Sequence, residues 1–419
     1  MNNNKLNNYS IINSGTIAFL FSYIYLFIDA INGQLIRNIS ISISPLLKLI
    51  LLSLMIHYLL KFKSNKIILY IIPFIIIIFI HFIYLRNINY IIDDFMWAFK
   101  FLAIIISFHF FKHHIIYSNN SIKKIDFLFK ISFFVILSNI LLGISGFGYA
   151  LYGRENIGTK GYFMAGNELG ITLIVCSMYL LALFINQRKI KLYFIFSILY
   201  LFISINLGSK VAVLGAIIII TIFPVIDFFK RHKYFIINKT SLKLASISFV
   251  FLFVFAPIGI YYLLYEIDLL SRMSFFFNKY NLITFLLSGR DLRAIEIIEY
   301  SIEHMNLFTF LFGFSLGTLK HSFVGTSEID LVDLFFVYGI TGVTIIYGFF
   351  IYILLKSKKM AKSKKTDYIY ARYVYVGTYL LLFLSLFSGH VMMSGLAGIL
   401  IGAFFSLIYI KKEINNEKI

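Results

Sequence analysis

Ile67-Ile-Leu-Tyr-Ile-Ile-Pro-Phe-Ile-Ile-Ile-Ile-Phe-Ile80 decides the fold class. The stretch carries no charge and does not alternate polar with apolar residues, as a lipid-facing barrel strand must. Continued to Tyr84, it is long enough as a helix to cross about 30 Å of hydrocarbon. Lipid offers no partner to open backbone groups, so a helix is the form such a run takes there.

Similar runs recur along the 419 residues. The chain is 60% hydrophobic and only 14% charged, with a mean hydropathy of +0.87. A soluble domain carries about 25% charged residues, so this chain cannot cover a water-facing surface of its length. The apolar runs predict spans at 15–31, 45–60, 67–84, 95–111, 127–147, 168–185, 192–206, 211–229, 244–264, 331–355, 373–388 and 395–410. The expected fold is therefore an all-α integral membrane protein, a single polytopic domain over 1–419 with about twelve transmembrane helices. An even count puts both termini on one side. Residues 1–14 are polar and Asn-rich, and no small-residue cleavage signal closes the first run, so it is expected to stay as an anchor.

The net charge of +19 would suggest nucleic acid on a soluble protein. Here Ile, Phe, Tyr, Asn and Lys are abundant together, as in an AT-rich genome, and no nucleic-acid partner is expected. Where the cations sit is more informative. Lys61, Lys63 and Lys66, then Lys112, Lys123 and Lys124, Arg188 to Lys191, Lys230 to Lys243 and Lys356 to Arg372 fall in one set of alternating connections. The positive-inside rule makes that set cytoplasmic, with both termini. Cys176 is the only cysteine, which excludes an intrachain disulfide and a Cys metal site.

Two stretches on the opposite, external side stand out: a Gly-rich loop at 148–167 and a large loop at 265–330. Loops this long are usually functional. Within the second, Leu292, Ile295, Ile298, Ile302 and Met305 recur near helical spacing, with Glu296, Glu299 and Glu303 between them. That pattern predicts an amphipathic helix on the membrane surface or capping the bundle.

The chain has no Gly-Lys-Ser/Thr phosphate loop, no His-Glu-x-x-His and no dinucleotide fingerprint, so neither metal nor cofactor is expected. The external cations are few: Arg154 and Lys160 in the Gly-rich loop, Lys210 in a Gly-Ser-Lys turn, and Arg290 and Arg293 at the start of the amphipathic helix. Each opposes the topology signal. Arg grips phosphate oxygens bidentately and Lys adds a point charge, so the set suits a diphosphate; singly, each suits snorkelling to headgroups. Glu328, Asp330 and Asp333 stand at the entry of an apolar run. They could pair with Arg290 or Arg293, bind sugar hydroxyls, take a proton, or simply favour a helix N-terminus. His321 is a candidate base, and His390, at the outer end of the run 373–388, is similar. His57, His81, His109 and Cys176 read as packing residues. Lys48 and Lys130 read as snorkelling, and Lys100, the deepest cation, as facing a cavity.

Taken in order, Gly161-Tyr-Phe-Met-Ala-Gly-Asn-Glu-Leu-Gly170, Asn206-Leu-Gly-Ser-Lys210, Ser288-Gly-Arg290, Phe312-Gly-Phe-Ser-Leu-Gly317, Glu328-Ile-Asp-Leu-Val-Asp333 and Tyr338-Gly-Ile-Thr-Gly342 resemble the O-antigen polymerase and ligase superfamily of membrane glycosyltransferases. The resemblance covers about residues 150–345 and rests on order and spacing. It implies transfer of an undecaprenyl-diphosphate-linked glycan on the outer face of a bacterial plasma (inner) membrane, without metal or nucleotide. Membrane lipids, a chain-length regulator and a flippase are the other partners it implies. Arg290 would bind diphosphate; Lys210 stands where many members have Arg. Arg154 reaches Gly166 one residue beyond the usual Arg–Gly spacing of polymerases. The Glu-x-Asp-x-x-Asp stretch looks more like polymerases, whereas ligases show a His-centred motif that His321 does not match. On this resemblance Arg290, Glu328, Asp330 and His321 are candidate catalytic residues, and Arg154, Lys160, Lys210, Arg293 and Asp333 candidate substrate-binding residues. A ligase and a lipid-linked oligosaccharide flippase are the alternatives, although neither paired repeats nor paired intramembrane carboxylates favour a transporter.

Overall fold

The computed structural model describes residues 3–118, 120–152, 157–232, 287–321, 325–363 and 368–411, with isolated positions between 242 and 284. Helices α1 (Asn3–Ile39), α2 (Ser44–Lys61), α3 (Ile68–Leu85), α4 (Ile88–Tyr117) and α5 (Ser121–Ile144) run up and down. A hairpin follows, β1 (Tyr149–Tyr152) and β2 (Ile157–Gly161), then α6 (Gly166–Asn186), α7 (Ile190–Leu207) and α8 (Lys210–His232). Later come α9 (Arg290–His304), α10 (Leu307–Phe312), α11 (Leu316–His321), α12 (Asp330–Ala361), α13 (Ala371–Ser385) and α14 (Gly398–Ser406).

Among the described residues 8 helices are long and apolar enough to cross a membrane: α1 from Ser14, α2, α3, α5, α6, α7, α8 and α12. The chain is thus a helical, multi-pass membrane protein. The expected span at 95–111 lies in α4, a helix of 30 residues that also carries Asp93, Asp94, Lys100 and Lys112. The run at 373–388 yields only the 15 residues of α13, and the run at 395–410 only the 9 of α14. Most of the expected span at 244–264 lies outside the described residues.

Helix α6 is the centre, with 94% of its apolar window buried, while α3 at 22% lies on the periphery. Helix α14 reaches the centre by close backbone approach to α4. A Cβ on Gly402 would stand 2.4 Å from the Ile104 carbonyl oxygen, and one on Gly398 would touch Ala103. Small residues at an interface let helices in lipid gain contact that hydrophobicity cannot supply there.

The Gly-rich loop is not irregular. Its two antiparallel strands pair Ala150 with Thr159 and Tyr152 with Ile157. The Asn139 side chain on α5 holds the hairpin's end, accepting from Tyr162 N–H at 2.8 Å and donating to the Lys160 carbonyl at 2.9 Å. The amphipathic helix also forms, as α9, with most of its large aliphatic residues turned away from the bundle. Ala294, Ile297 and Ser301 are the residues it buries, whereas Leu292, Ile295, Ile298 and Ile302 stay exposed. Ile297 and two small side chains meet the bundle, and the other large aliphatic residues are left for lipid, as on a surface-lying helix.

Helix α12 is broken at Gly339, where φ is 63° and ψ −167°. The break frees carbonyls that the segment after α10 uses: Phe314 N–H donates to Phe336 O at 2.7 Å and Ser315 N–H to Val337 O at 3.3 Å. The two segments nearly touch, and a Cβ on Gly339 would lie 2.5 Å from the Leu311 carbonyl carbon. The Gly-rich pieces at 312–317 and 338–342 are therefore two halves of one backbone contact. Gly339→Ala should cost about 1–3 kcal/mol, since it adds a Cβ at positive φ against fixed backbone. Gly348→Ala, where a Cβ meets nothing within 4 Å, should change stability by less than about 0.5 kcal/mol. Melting of both variants in detergent checks this.

Candidate functional site

The candidate site lies at the hairpin end of the bundle, where α12 begins. Two of the three carboxylates there are committed to backbone. Asp333 accepts from Ser327 N–H and Oγ, both at 2.7 Å, and from Glu328 N–H at 3.0 Å. Asp330 is fully buried and accepts from His390, Val391 and Met392 N–H at 2.9, 3.0 and 2.8 Å. Asp333 thereby shapes the turn into α12, and Asp330 holds the non-helical segment between α13 and α14.

That turn forces Glu328 into a left-handed conformation, φ 60°, and sends its side chain toward α9. Arg290 donates from Nε and Nη2 to Glu328 Oε2, each at 3.3 Å, and Arg293 from Nη1 to Oε1 at 3.0 Å. The two arginines are three residues apart in sequence and so share one helix face. Lys210, at the start of α8, donates to Ser288 Oγ at 3.2 Å, just before Arg290. Three cations and one carboxylate from three separate motifs thus meet. Burial raises the Glu328 carboxyl, but the hydrogen bond and charge of Arg293, with the charge of Arg290, outweigh it and hold it below the usual carboxylate range.

A second charged group adjoins the first through the segment 386–397. Lys100 on α4 pairs with Glu168 on α6 at 3.3 Å, and Lys48 on α2 pairs with Asp29 on α1 at 2.8 Å. Glu168 Oε2 also accepts from Leu396 N–H at 2.9 Å and Ser394 Oγ at 3.3 Å. A Cβ on Gly395 would lie 3.5 Å from Glu168 Oε2 and 3.8 Å from Lys48 Nζ, so α2, α6 and the segment converge there. His390 stands between the groups, within electrostatic reach of Glu168, Lys100, Glu328 and Arg290.

The hairpin carries its own cations. Lys160 donates from Nζ to the Met164 carbonyl at 2.9 Å, and Arg37 at the end of α1 lies 3.6 Å above the Tyr149 ring. Burial, then the charge of Arg37, lowers the Lys160 ammonium pKa. Arg154 lies outside the described residues. His321 closes α11, and its side chain is likewise outside them. Lys210, Arg290, Arg293 and Glu328 are therefore brought together, Asp330 and Asp333 frame them, and Lys160 is held in the hairpin. Asp29 and Glu168 are the charged residues here that the sequence did not single out, whereas His390 stands among its candidate bases. A carboxylate inside an apolar run is the signal that could have found both.

No family model, curated protein or solved structure matches the chain. Among the described residues no three His, Cys, Asp or Glu side chains converge as a metal site. Chemically, the Arg290–Arg293 pair offers a planar, multidentate donor set for phosphate oxygens, with Glu328 as its counter-ion when no phosphate is bound.

Because folding lowers the Glu328 pKa, its pairing stabilises the protein above the ordinary carboxylate range. That contribution is lost as pH falls through the lower folded value. Glu328→Gln should remove this acid-limb dependence and leave the remaining pH profile in place. Melting temperature against pH for the two proteins reads it directly.

Proposed function

We propose that the chain is a membrane glycosyltransferase that polymerises undecaprenyl-diphosphate-linked repeat units into a surface polysaccharide on the outer face of the plasma membrane. The observation that carries this reading is the convergence of Arg290 and Arg293 on Glu328, with Lys210 bonded to Ser288 two residues before Arg290, at the bundle end away from the lysine-rich connections. These residues come from the sequence pieces that resemble the polymerase superfamily, and they offer cations where a lipid-borne diphosphate would arrive.

In the proposed reaction an acceptor sugar hydroxyl attacks the anomeric carbon of the donor glycan. The new C–O bond forms as the bond to the diphosphate breaks, and the carrier diphosphate leaves with the electron pair. Arg290, Arg293 and Lys210 offset the charge that develops on it. Its arrival at the arginines displaces Glu328. The freed carboxylate loses the partners that depress its pKa and becomes the better base for the hydroxyl proton. Asp330 takes no proton in this scheme, since three backbone N–H groups occupy it.

Deleting the gene should collapse the surface glycan ladder to single repeat units, with single units on the carrier lipid. Long polymer stranded on the carrier would instead mark a ligase, and units trapped on the cytoplasmic face a flippase. Arg290→Ala, inserted normally, should lower polymer formation by about 100-fold, the usual cost of one lost charge-stabilising donor. Arg290→Lys should recover only part, because it restores charge without the planar fork. Wild-type chain length in Arg290→Ala contradicts the assignment.

A further inference from the structure

The lysine-rich end of the bundle holds a charged cluster that the proposed reaction does not use. Lys112 lies near the end of α4 and Lys356 near the end of α12. Both ammonium groups turn over one ring: Lys112 Nζ is 5.0 Å and Lys356 Nζ 5.2 Å from the centre of Tyr409. Lys112 also faces Phe108 at 5.9 Å, and Lys356 faces Tyr352 at 5.3 Å while donating to its hydroxyl at 2.9 Å. Lys66, from the short turn Asn65–Ile67, stands within electrostatic reach of Lys112, and His109 within reach of all three lysines.

Among the described residues no carboxylate pairs with Lys66, Lys112 or Lys356. The Tyr409 hydroxyl is buried between the Lys356 ammonium and the Tyr352 hydroxyl, with no hydrogen bond of good geometry to either. Like charges gathered at a membrane boundary repel more strongly than in bulk water. Helix C-terminal dipoles attract lysines to such positions, and snorkelling keeps them there. Both effects, however, send each ammonium outward to water on its own. Here two lysines from different helices fold back over a shared ring, beside the neighbouring hydroxyls of Tyr352 and Tyr409. Basic pockets between helices at this kind of membrane face hold lipid phosphates.

We propose that Lys112, Lys356 and the Tyr409 hydroxyl, with Lys66 at the rim, hold the phosphate diester of an anionic lipid headgroup. Its two unesterified oxygens accept from the two ammonium groups and the hydroxyl, and its charge relieves the lysine repulsion. The assignment is independent of the glycosyltransferase reading, since none of these residues belongs to the candidate site.

The test uses the full chain purified in detergent, with native mass spectrometry for retention and melting for stability. The probes are phosphatidylglycerol, phosphatidylcholine and inorganic phosphate at matched concentration. Phosphatidylglycerol should be retained and should raise the melting temperature, and the other two should not. The double variant Lys112→Gln with Lys356→Gln should retain phosphatidylglycerol about 30-fold more weakly. Lys358→Gln with Lys359→Gln removes the same charge from exposed positions at the same helix end and should leave retention within about twofold. Equal loss in both doubles, or no loss in the first, overturns the proposal. An equal shift with phosphatidylcholine also overturns it, and an equal shift with inorganic phosphate overturns the lipid as the source. Should the first double fail to fold, Tyr409→Phe keeps every charge and removes only the hydroxyl. Retention should then fall several-fold, and unchanged retention overturns the proposal.

Discussion

A backbone amide that leaves a helix inside a lipid-embedded bundle has to be met by the protein itself, because the hydrocarbon cannot meet it. The candidate site depends on that constraint. Each irregular segment around it is held by a buried carboxylate or amide. Asp330 takes three amides of the segment between α13 and α14, and Glu168 takes one more from the same segment. Asp94 accepts from Leu316 N–H at 2.7 Å and Ser315 Oγ at 3.1 Å, while its other oxygen meets His81 Nδ1 at 2.6 Å. His81 in turn donates from Nε2 to the Phe312 carbonyl at 2.9 Å. Asn32 does the same for the amides of Ile43 and Ser44 that open α2.

These anchors divide the acidic residues into two kinds. Asp94, Asp330 and Asp333 spend their oxygens on the fold, so removing one strands amide donors at about 1–3 kcal/mol each. Glu328 spends its oxygens on two arginines that a phosphate could claim. The distinction follows from the partners alone, and among Glu328, Asp330 and Asp333 it leaves Glu328 as the carboxylate whose partners are exchangeable. The broken α12 serves the same end. Its nine residues before Gly339 start at Asp330 and bring Asp333 back onto the turn that presents Glu328.

The helical membrane class was legible because runs such as 67–80 carry one unambiguous physical message. The beginning of the site was legible too: Arg290, Arg293, Lys210 and Glu328 stand out as charges beside apolar runs. What stayed hidden has physical reasons. The break at Gly339 lies inside an apolar run that reads as continuous helix. The ends of the segment 386–397 are absorbed into the expected spans 373–388 and 395–410, and its middle reads as an ordinary connection, although Val391, Met392 and Leu396 are all buried. The hairpin at 149–161 is too short and Gly-rich to show strand alternation. On α9 the large aliphatic side chains mark the lipid side, whereas hydrophobicity read as in a soluble protein would turn them to the bundle. The pairing of Asp29 with Lys48 and Glu168 with Lys100 joins residues far apart in sequence, which no local pattern records.

The arginines facing Glu328 are proposed as a diphosphate site. Retention of undecaprenyl diphosphate on the purified chain tests it most directly, with wild type and Arg290→Ala compared by native mass spectrometry. Wild type should keep the diphosphate lipid and lose it to competing inorganic diphosphate, and Arg290→Ala should keep at least about tenfold less. Equal retention by both proteins would contradict it.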